Sequence, residues 1–407
     1  MENKWLNSVS ALKHPNFRLF WFGQIISVIG TWMQNMAQAW LVLQITDSPF
    51  LLGFTTAVQF MPYLVLSLMA GVIVDRIPKR KLIIITQSGQ AILALILGIL
   101  ILMGAVRLWH IIILAGLLGI FSTFDMPGRQ SFVIEMVGKK DLPNAIALNS
   151  AAFNFGRIVG PAIAGILIGN IGISACFLVN SASFVAVIIG LFLMKALPVV
   201  NMENSNTNIW GGMKEGLRYI YSIPILFNTL TLMAFMSTFA MNLNVLVPII
   251  AKNNLNQPAV GFGLLLSALG IGALIGSVAL VGTSGREQRR QNLFIGGACF
   301  CIFQIVFAFC HYFIISMILL ILTGWAMITF TTSVNTTLQL NSNDNFRGRV
   351  MSVYTLVFGG VIPIGSLISG TIANFLGAPI ALVFGAVIGL SSLIIIVIKE
   401  KNNTTAK

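Results

Sequence analysis

The stretch GVIVDRIPKRK, Gly71–Lys81, is the most informative part of this chain for its fold class. It lies between two long apolar runs, Pro49–Val74 and Leu82–Met103. It begins with a glycine, which permits two helices to approach closely, and it ends with three consecutive basic residues. A short loop with this positive charge resists transfer across a bilayer. The stretch therefore predicts a tight connection between two membrane-spanning helices, although the basic residues alone would also fit a loop that only sets orientation.

The composition predicts an integral membrane protein. Of its 407 residues, 57% are hydrophobic and only 9% are charged, with a mean hydropathy of +0.92, whereas soluble domains carry about 25% charged residues. No segment alternates polar and apolar residues as the strands of a membrane barrel do. Because a spanning helix needs about 20 apolar residues, we predict an all-α polytopic membrane protein with twelve transmembrane helices. The apolar segments lie near residues 18–45, 50–74, 82–104, 109–131, 143–171, 173–196, 225–251, 259–283, 292–311, 313–337, 349–375 and 378–398.

The net charge of +13 is explained by its distribution along the chain. All but three of the 24 Lys and Arg residues fall at the termini or in one alternate set of loops, the exceptions being Arg107, Arg157 and Lys252. Positive residues stay on the cytoplasmic side, so both termini are expected in the cytoplasm and the protein in the cytoplasmic (inner) membrane. The basic charge therefore does not predict a nucleic-acid partner.

The sequence predicts neither an enzyme nor a metal or cofactor site. The four cysteines lie inside apolar segments without the spacing of zinc ligands, and we interpret them as small buried hydrophobic residues. No HExxH, GxSxG or Walker A pattern occurs in the chain. Without a nucleotide-binding motif, any transport must draw its energy from an ion gradient.

The organisation predicts two six-helix halves. The polar stretch at residues 197–208 separates six apolar segments from six others, which gives an N-terminal bundle at 1–196, a linker at 197–222 and a C-terminal bundle at 223–407. The end of the linker fits an amphipathic helix, with Trp210, Leu217 and Ile220 towards the lipid and Lys214 and Arg218 towards the headgroups.

Two stretches of the first half are similar in sequence to two stretches of the second half. GIFSTFDMPGRQ from Gly119 is similar to GWAMITFTTSVN from Gly324, and FGRIVGPAIAGILIGNIG from Phe155 is similar to FGGVIPIGSLISGTIANFLG from Phe358.

The opening stretch resembles the loop signature of the major facilitator superfamily of transporters. Gly71, Asp75, Arg76, Arg80 and Lys81 match the pattern Gly-x-x-x-Asp-Arg-x-x-x-Arg-Lys position for position. The resemblance implies two parallel six-helix repeats around a site near the midplane. It also implies a gating or coupling role for Asp75, Arg76 and Arg80.

A second resemblance concerns the fifth apolar segment. Gly156, Gly160, Pro161 and Gly165 resemble the antiporter motif of major facilitator exporters, with Ala164 as a departure. Ordinary packing of small residues is the alternative interpretation. Further stretches resemble the drug and siderophore efflux subgroup that includes enterobactin exporters and macrolide-efflux proteins. The resemblance implies a secondary exporter of a siderophore or drug-like molecule that works by alternating access with proton antiport. A metabolite importer or a lipid flippase of the same fold is the alternative.

Two of the charged residues inside predicted spans are candidates for function, because charge is costly there and often functional. Asp125 is the deepest acidic residue. It is a candidate proton carrier, because burial favours the protonated form of a carboxylate, and an ion pair with Arg129 one turn later is the alternative. Arg157 either receives an anionic group of the substrate or pairs with a neighbouring helix.

The resemblance implies that the first, fourth, seventh and tenth spans line a cavity. Polar residues in three of these spans are the candidate substrate contacts, and helix–helix hydrogen bonding is the alternative for each amide. A small-molecule substrate, protons and the lipid bilayer are the expected partners, and we expect a monomer. The candidate cavity residues are Gln34, Asn35, Gln38, Asn242, Asn244, Thr332 and Asn335.

Overall fold

The computed structural model describes residues 10–195, 209–280 and 286–405, and these ranges contain helices and no strand. Each of the twelve predicted segments coincides with described helix, so the predicted fold class is confirmed. The helices are α1 (Pro15–Thr46), α2 (Pro49–Arg76), α3 (Lys79–Leu102), α4 (Leu108–Asn170), α5 (Ser174–Leu193), α6 (Ile209–Ser222), α7 (Pro224–Phe235), α8 (Leu243–Asn253), α9 (Ala259–Ala279), α10 (Arg286–Ala308), α11 (Phe313–Leu340), α12 (Asp344–Gly359), α13 (Ile362–Leu376) and α14 (Ala378–Thr405).

The 63-residue helix α4 holds two predicted spans. Its backbone breaks at Gly138, where φ is 68° and ψ is 176°, a conformation that a residue with a side chain rarely adopts. The break falls between the apolar segments at 109–131 and 143–171, so α4 consists of two arms, residues 108–137 and 139–170. Two other spans are each built from consecutive helices: α7 and α8 are joined by the π-helical turn Met236–Ala240, and α12 and α13 by a short turn.

The described chain forms two compact units. The first comprises Met1–Leu41 and Val65–Ser205, and the second comprises Val42–Leu64 and Asn206–Lys407. The second unit thus includes the end of α1 and the first half of α2 in addition to the C-terminal helices. This division differs from a single cut in the linker, because residues 42–64 pack with α8 and α13.

The first unit has an apolar core where α1, α3, α4 and α5 meet. Phe20 and Phe132 pack edge to face there, with ring centroids 5.9 Å apart. Large apolar side chains on the other faces are exposed, among them Phe192 at 65%. Exposed apolar surface on this scale is what lipid-facing helices present.

The second unit is held at one end by contacts to residues 42–64. The Lys252 ammonium donates to the Leu43 carbonyl at 2.8 Å and pairs with the Asp47 carboxylate at 2.9 Å. Gly53 and Gly370 touch backbone to backbone, since a Cβ added to either would lie 2.9 Å from the other's Cα. Small residues thus bring α2 and α13 into direct contact.

The helix α6 of the linker packs on α12 within the second unit. The rings of Tyr219 and Phe346 stack with centroids 4.3 Å apart, and Arg349 pairs with Glu215 at 2.5 Å. Of the side chains expected to enter the lipid, Ile220 is buried in the protein, Leu217 is 39% exposed, and Trp210 lies outside the described side chains. Residues 196–208, in the polar part of the linker, are also outside the described residues.

Candidate functional site

A buried polar cluster surrounds Asp125 in the first arm of α4. Its carboxylate pairs with the Arg129 guanidinium at 2.6 Å and accepts hydrogen bonds from the Thr86 hydroxyl at 2.6 Å and the Gln87 amide at 3.0 Å. Arg129 also donates to the Gln24 side chain. The cluster therefore links α1, α3 and α4 through one carboxylate and one guanidinium.

The surroundings explain why this cluster is stable. The Asp125 and Arg129 side chains are only 9% and 15% exposed, and charges withdrawn from water are stable only when they are paired and hydrogen-bonded. Arg129 follows Asp125 by one helical turn, the spacing that brings two side chains together on one face. The ion pair that the sequence left open is thus present. Its partners Thr86, Gln87 and Gln24 were not predicted, although the polar run TQSGQ inside the apolar helix α3 was a signal for two of them.

Arg157 lies in the second arm of α4, away from any described carboxylate at salt-bridge distance. Its guanidinium carbon is 5.8 Å from the centroid of the Trp32 ring, and the side chain is partly buried. Trp32 also packs edge to face on Phe153, with centroids 5.5 Å apart. Arg157 and Phe153 are one turn apart on α4 and hold the same indole ring of α1.

The glycines of the antiporter-like motif make α4 touch α1. A Cβ added to Gly156 would lie 2.6 Å from the Val28 side chain, and one added to Gly160 would lie 2.8 Å from the Ile29 carbonyl oxygen. Neither distance can accommodate a side chain without movement of α1. Pro161 and Gly165 are also buried. The motif thus provides the contact that holds Trp32 against Arg157.

The loop that resembles the major facilitator signature is described in part. Its side chain at Asp75 lies outside the described side chains. Arg76 is exposed, Arg80 donates to the Phe192 carbonyl at 3.3 Å, and Lys79 donates to the Val74 carbonyl at 2.7 Å. The expected close approach at Gly71 is wrong, because an added Cβ there would meet no described atom within 4 Å.

The amides predicted for a cavity in the first unit separate into two groups. Gln34 is buried and accepts a hydrogen bond from the Asn180 amide of α5 at 2.6 Å. Gln38 is also buried, whereas Asn35 is exposed one turn after Trp32. Asn35 is thus the amide of this group whose side chain is accessible.

The candidates in the second unit divide in the same way. Asn242, which lies just after the π-helical turn, is buried, and its amide donates to the Thr238 carbonyl at 2.7 Å. Asn335 is partly buried and accepts from the Gln339 amide at 2.6 Å. Asn244 and Thr332 are exposed. No group of residues suited to a metal ion occurs in the described part of the chain.

These apolar helices define an all-helical, multi-pass membrane protein. Solved structures support the fold. The nucleoside transporter NupG aligns with a TM-score of 0.75 at 9% identity, covering 94% of this chain and 98% of that one. A bacterial homologue of the lysosomal transporter Spinster aligns with a TM-score of 0.68 at 12% identity, covering 94% of both chains.

The family is shown by a match over residues 6–406 to the transmembrane secretion effector model of the major facilitator superfamily. The chain belongs to this family. It is 26% identical to the multidrug efflux pump Tap of Mycolicibacterium fortuitum, covering 88% of this chain and 89% of Tap. It is 25% identical to the staphyloferrin A transporter of Staphylococcus aureus, covering 88% and 90%. It is 24% identical to the enterobactin exporter EntS of Salmonella typhi, covering 86% and 84%.

Proposed function

We propose that this protein exports a small organic molecule from the cytoplasm and that inward proton movement drives the export. Family membership and the names of three full-length relatives, an efflux pump, a siderophore transporter and a siderophore exporter, support the first part. The placement of basic residues supports an orientation with both termini in the cytoplasm.

The cluster around Asp125 is the observation that carries proton coupling. A carboxylate that is withdrawn from water but hydrogen-bonded to neighbouring helices can bind and release one proton as its surroundings change. In the ionised state, Asp125 holds Arg129 on its own helix and Thr86 and Gln87 on α3. Protonation removes the charge that orders these contacts, so the attraction between α3 and α4 weakens.

The cluster also offers a route from proton binding to movement. When Asp125 is neutral, Arg129 keeps its contact with Gln24 on α1 while losing its ionic partner on α4. The relative stability of α1, α3 and α4 in the first unit then depends on the protonation state. Proton binding can thereby favour one access state of a transporter over another.

Transport by inside-out vesicles with a preformed pH gradient tests this proposal. We expect ATP-independent accumulation of at least one of three probes, namely labelled enterobactin, labelled staphyloferrin A or the dye ethidium, and its loss when a protonophore is added. Asp125→Asn should abolish gradient-driven accumulation, because an amide cannot take up and release a proton as a carboxylate does, while the variant still reaches the membrane.

The exposed pair on α12 provides the matched control. Asp344 pairs with Arg347 at 2.7 Å and is 86% exposed, so Asp344→Asn removes a carboxylate without disturbing a buried contact. We expect it to transport as the unaltered protein does. Accumulation that persists without a proton gradient but requires sodium would contradict proton coupling, and accumulation only in right-side-out vesicles would contradict export.

A further inference from the structure

Arg157 carries a charge inside a membrane span, and no carboxylate in the described part of the chain lies at salt-bridge distance from it. It lies about 20 Å along the axis from the end of α4 at Asn170, at a rise of 1.5 Å per residue. It is farther still from the break at Gly138. This position places the guanidinium within a hydrocarbon core about 30 Å thick.

Other arginines of the first unit show what a structural role looks like. Arg129 has a carboxylate and an amide oxygen as partners, and Arg80 has the Phe192 carbonyl. Arg157 contacts the face of an indole ring instead. An aromatic face attracts a cation but leaves the edge of the guanidinium, with its N–H donors, available to a ligand.

The fold itself does not require an arginine at this position. In the internal repeat, a shift of 203 residues places Gly360 opposite Arg157. A Cβ at Gly360 would lie 2.5 Å from the Leu356 carbonyl oxygen, so the second unit could take a side chain there only with a shift of the backbone. The arginine is therefore an addition of the first half, at a cost that a function must justify.

The neighbours of Arg157 provide an apolar and a polar contact beside the charge. Trp32 is fixed by Phe153 and by the glycine contacts between α1 and α4. Phe153 is 52% exposed, and Asn35 is exposed one turn beyond Trp32. A positive fork, flat apolar rings and an amide thus lie together on one face of the first unit.

We propose that Arg157, Trp32, Phe153 and Asn35 form a binding site for the anionic group of an aromatic or otherwise flat substrate. The guanidinium takes a carboxylate or sulfonate through paired N–H donors. The indole and phenyl rings contact the apolar body to which the anion is attached. This inference deepens the proposed export function and rests on it, since it names the chemical class of the exported molecule as an organic anion.

A pair of probes that differ only in charge tests the site by binding alone. The purified protein in lipid nanodiscs is incubated with 2-naphthoate or with the neutral 2-naphthamide, and protein-free nanodiscs measure partition into lipid. We expect naphthoate to bind about tenfold more tightly than naphthamide, because a charge-assisted paired hydrogen bond is gained with the anion only. Equal affinity for the two probes, or no binding of either, would overturn the proposal.

Three variants locate the preference. Arg157→Gln should abolish the preference for naphthoate and leave the affinity for naphthamide unchanged. Trp32→Leu should lower the affinity for both probes. Arg157→Lys should retain the positive charge but lose the paired N–H donors of the guanidinium, which lowers the preference for naphthoate severalfold. If the purified Arg157→Gln protein is not monodisperse, Arg157→Lys replaces it as the deciding variant. An unchanged preference in Arg157→Gln, or in Arg157→Lys where that variant decides, would overturn the site. The control Arg347→Gln removes an exposed guanidinium and should change nothing.

The assay separates this site from the proposed function. Binding in nanodiscs needs no gradient, so anion preference can be present in a protein that fails to export in vesicles. Conversely, proton-driven export with no dependence on probe charge would contradict the anion site and leave the export function intact.

Discussion

The two units share a repeated helical pattern but differ in where they hold charge. A shift of 205 residues between GIFSTFDMPGRQ and GWAMITFTTSVN places Phe330 opposite Asp125 and Val334 opposite Arg129. Both Phe330 and Val334 are fully buried. The same place in the two bundles is therefore filled by an ion pair in one unit and by apolar packing in the other.

The helical frame therefore does not need the charges of the first unit. Replacing a buried ion pair by apolar groups of suitable volume is commonly neutral or stabilising, and the second unit presents that solution. The Asp125–Arg129 ion pair, and Arg157 with no described carboxylate at salt-bridge distance, are then best explained by a function of the first unit. We infer that proton and anion chemistry is concentrated in the first half and that the second half provides a largely apolar counterpart.

The largest effect in this comparison is expected from breaking the buried pair. Arg129→Met would leave the Asp125 carboxylate without its ionic partner, which typically costs about 3–5 kcal/mol for a buried pair. Arg347→Gln breaks the exposed pair on α12 of the second unit and should cost about 0–1 kcal/mol. Thermal unfolding of both variants in the same detergent measures the contrast. Equal losses for Arg129→Met and Arg347→Gln would contradict the view that the two units use charge differently.

A smaller loss of stability is expected from adding a side chain at equivalent glycines of the two halves, because one of them is closely packed and the other is not. Gly156 and Gly359 are equivalent by the 203-residue shift. A Cβ at Gly156 would lie 2.6 Å from Val28, while one at Gly359 would meet no described atom within 4 Å. Gly156→Ala should therefore destabilise the protein by about 1–3 kcal/mol through overpacking, and Gly359→Ala should not.

Fluorescence-detected gel filtration after heating compares the two alanine variants. Because the Gly156 contact holds α1 against α4, Gly156→Ala should also reduce the preference for naphthoate. A Gly359→Ala variant that loses as much stability as Gly156→Ala would show that the repeat does not distinguish the two interfaces.

The helical frame was predictable from the sequence because length and apolarity alone define a span. The sequence offered the Asp125–Arg129 ion pair as the alternative to a proton carrier at Asp125, because a spacing of four residues places two side chains on one face of a helix. The sequence could not show which amide of α1 faces a helix. Gln34 and Asn35 are adjacent and similar in chemistry, yet one is buried against Asn180 and the other is exposed. That distinction depends on the rotation of α1 against α5, which packing determines.

The smallest effect is expected from the amide contact that this rotation creates. Gly30 gives the room for it, because an added Cβ there would lie 2.3 Å from the Asn180 side-chain oxygen. Asn180→Ala removes the 2.6 Å hydrogen bond to Gln34, and such bonds in membrane proteins average about 0.6 kcal/mol. Gln339→Ala, which removes the exposed bond to Asn335 in the second unit, is the matched control. Asn180→Ala should lower the unfolding temperature slightly and leave the affinity for naphthoate unchanged, because Gln34 forms a contact between helices. Asn35→Ala should instead lower the affinity for naphthoate without changing the unfolding temperature. The reverse pattern, with Asn180→Ala weakening naphthoate binding and Asn35→Ala weakening the fold, would assign the binding role to Gln34.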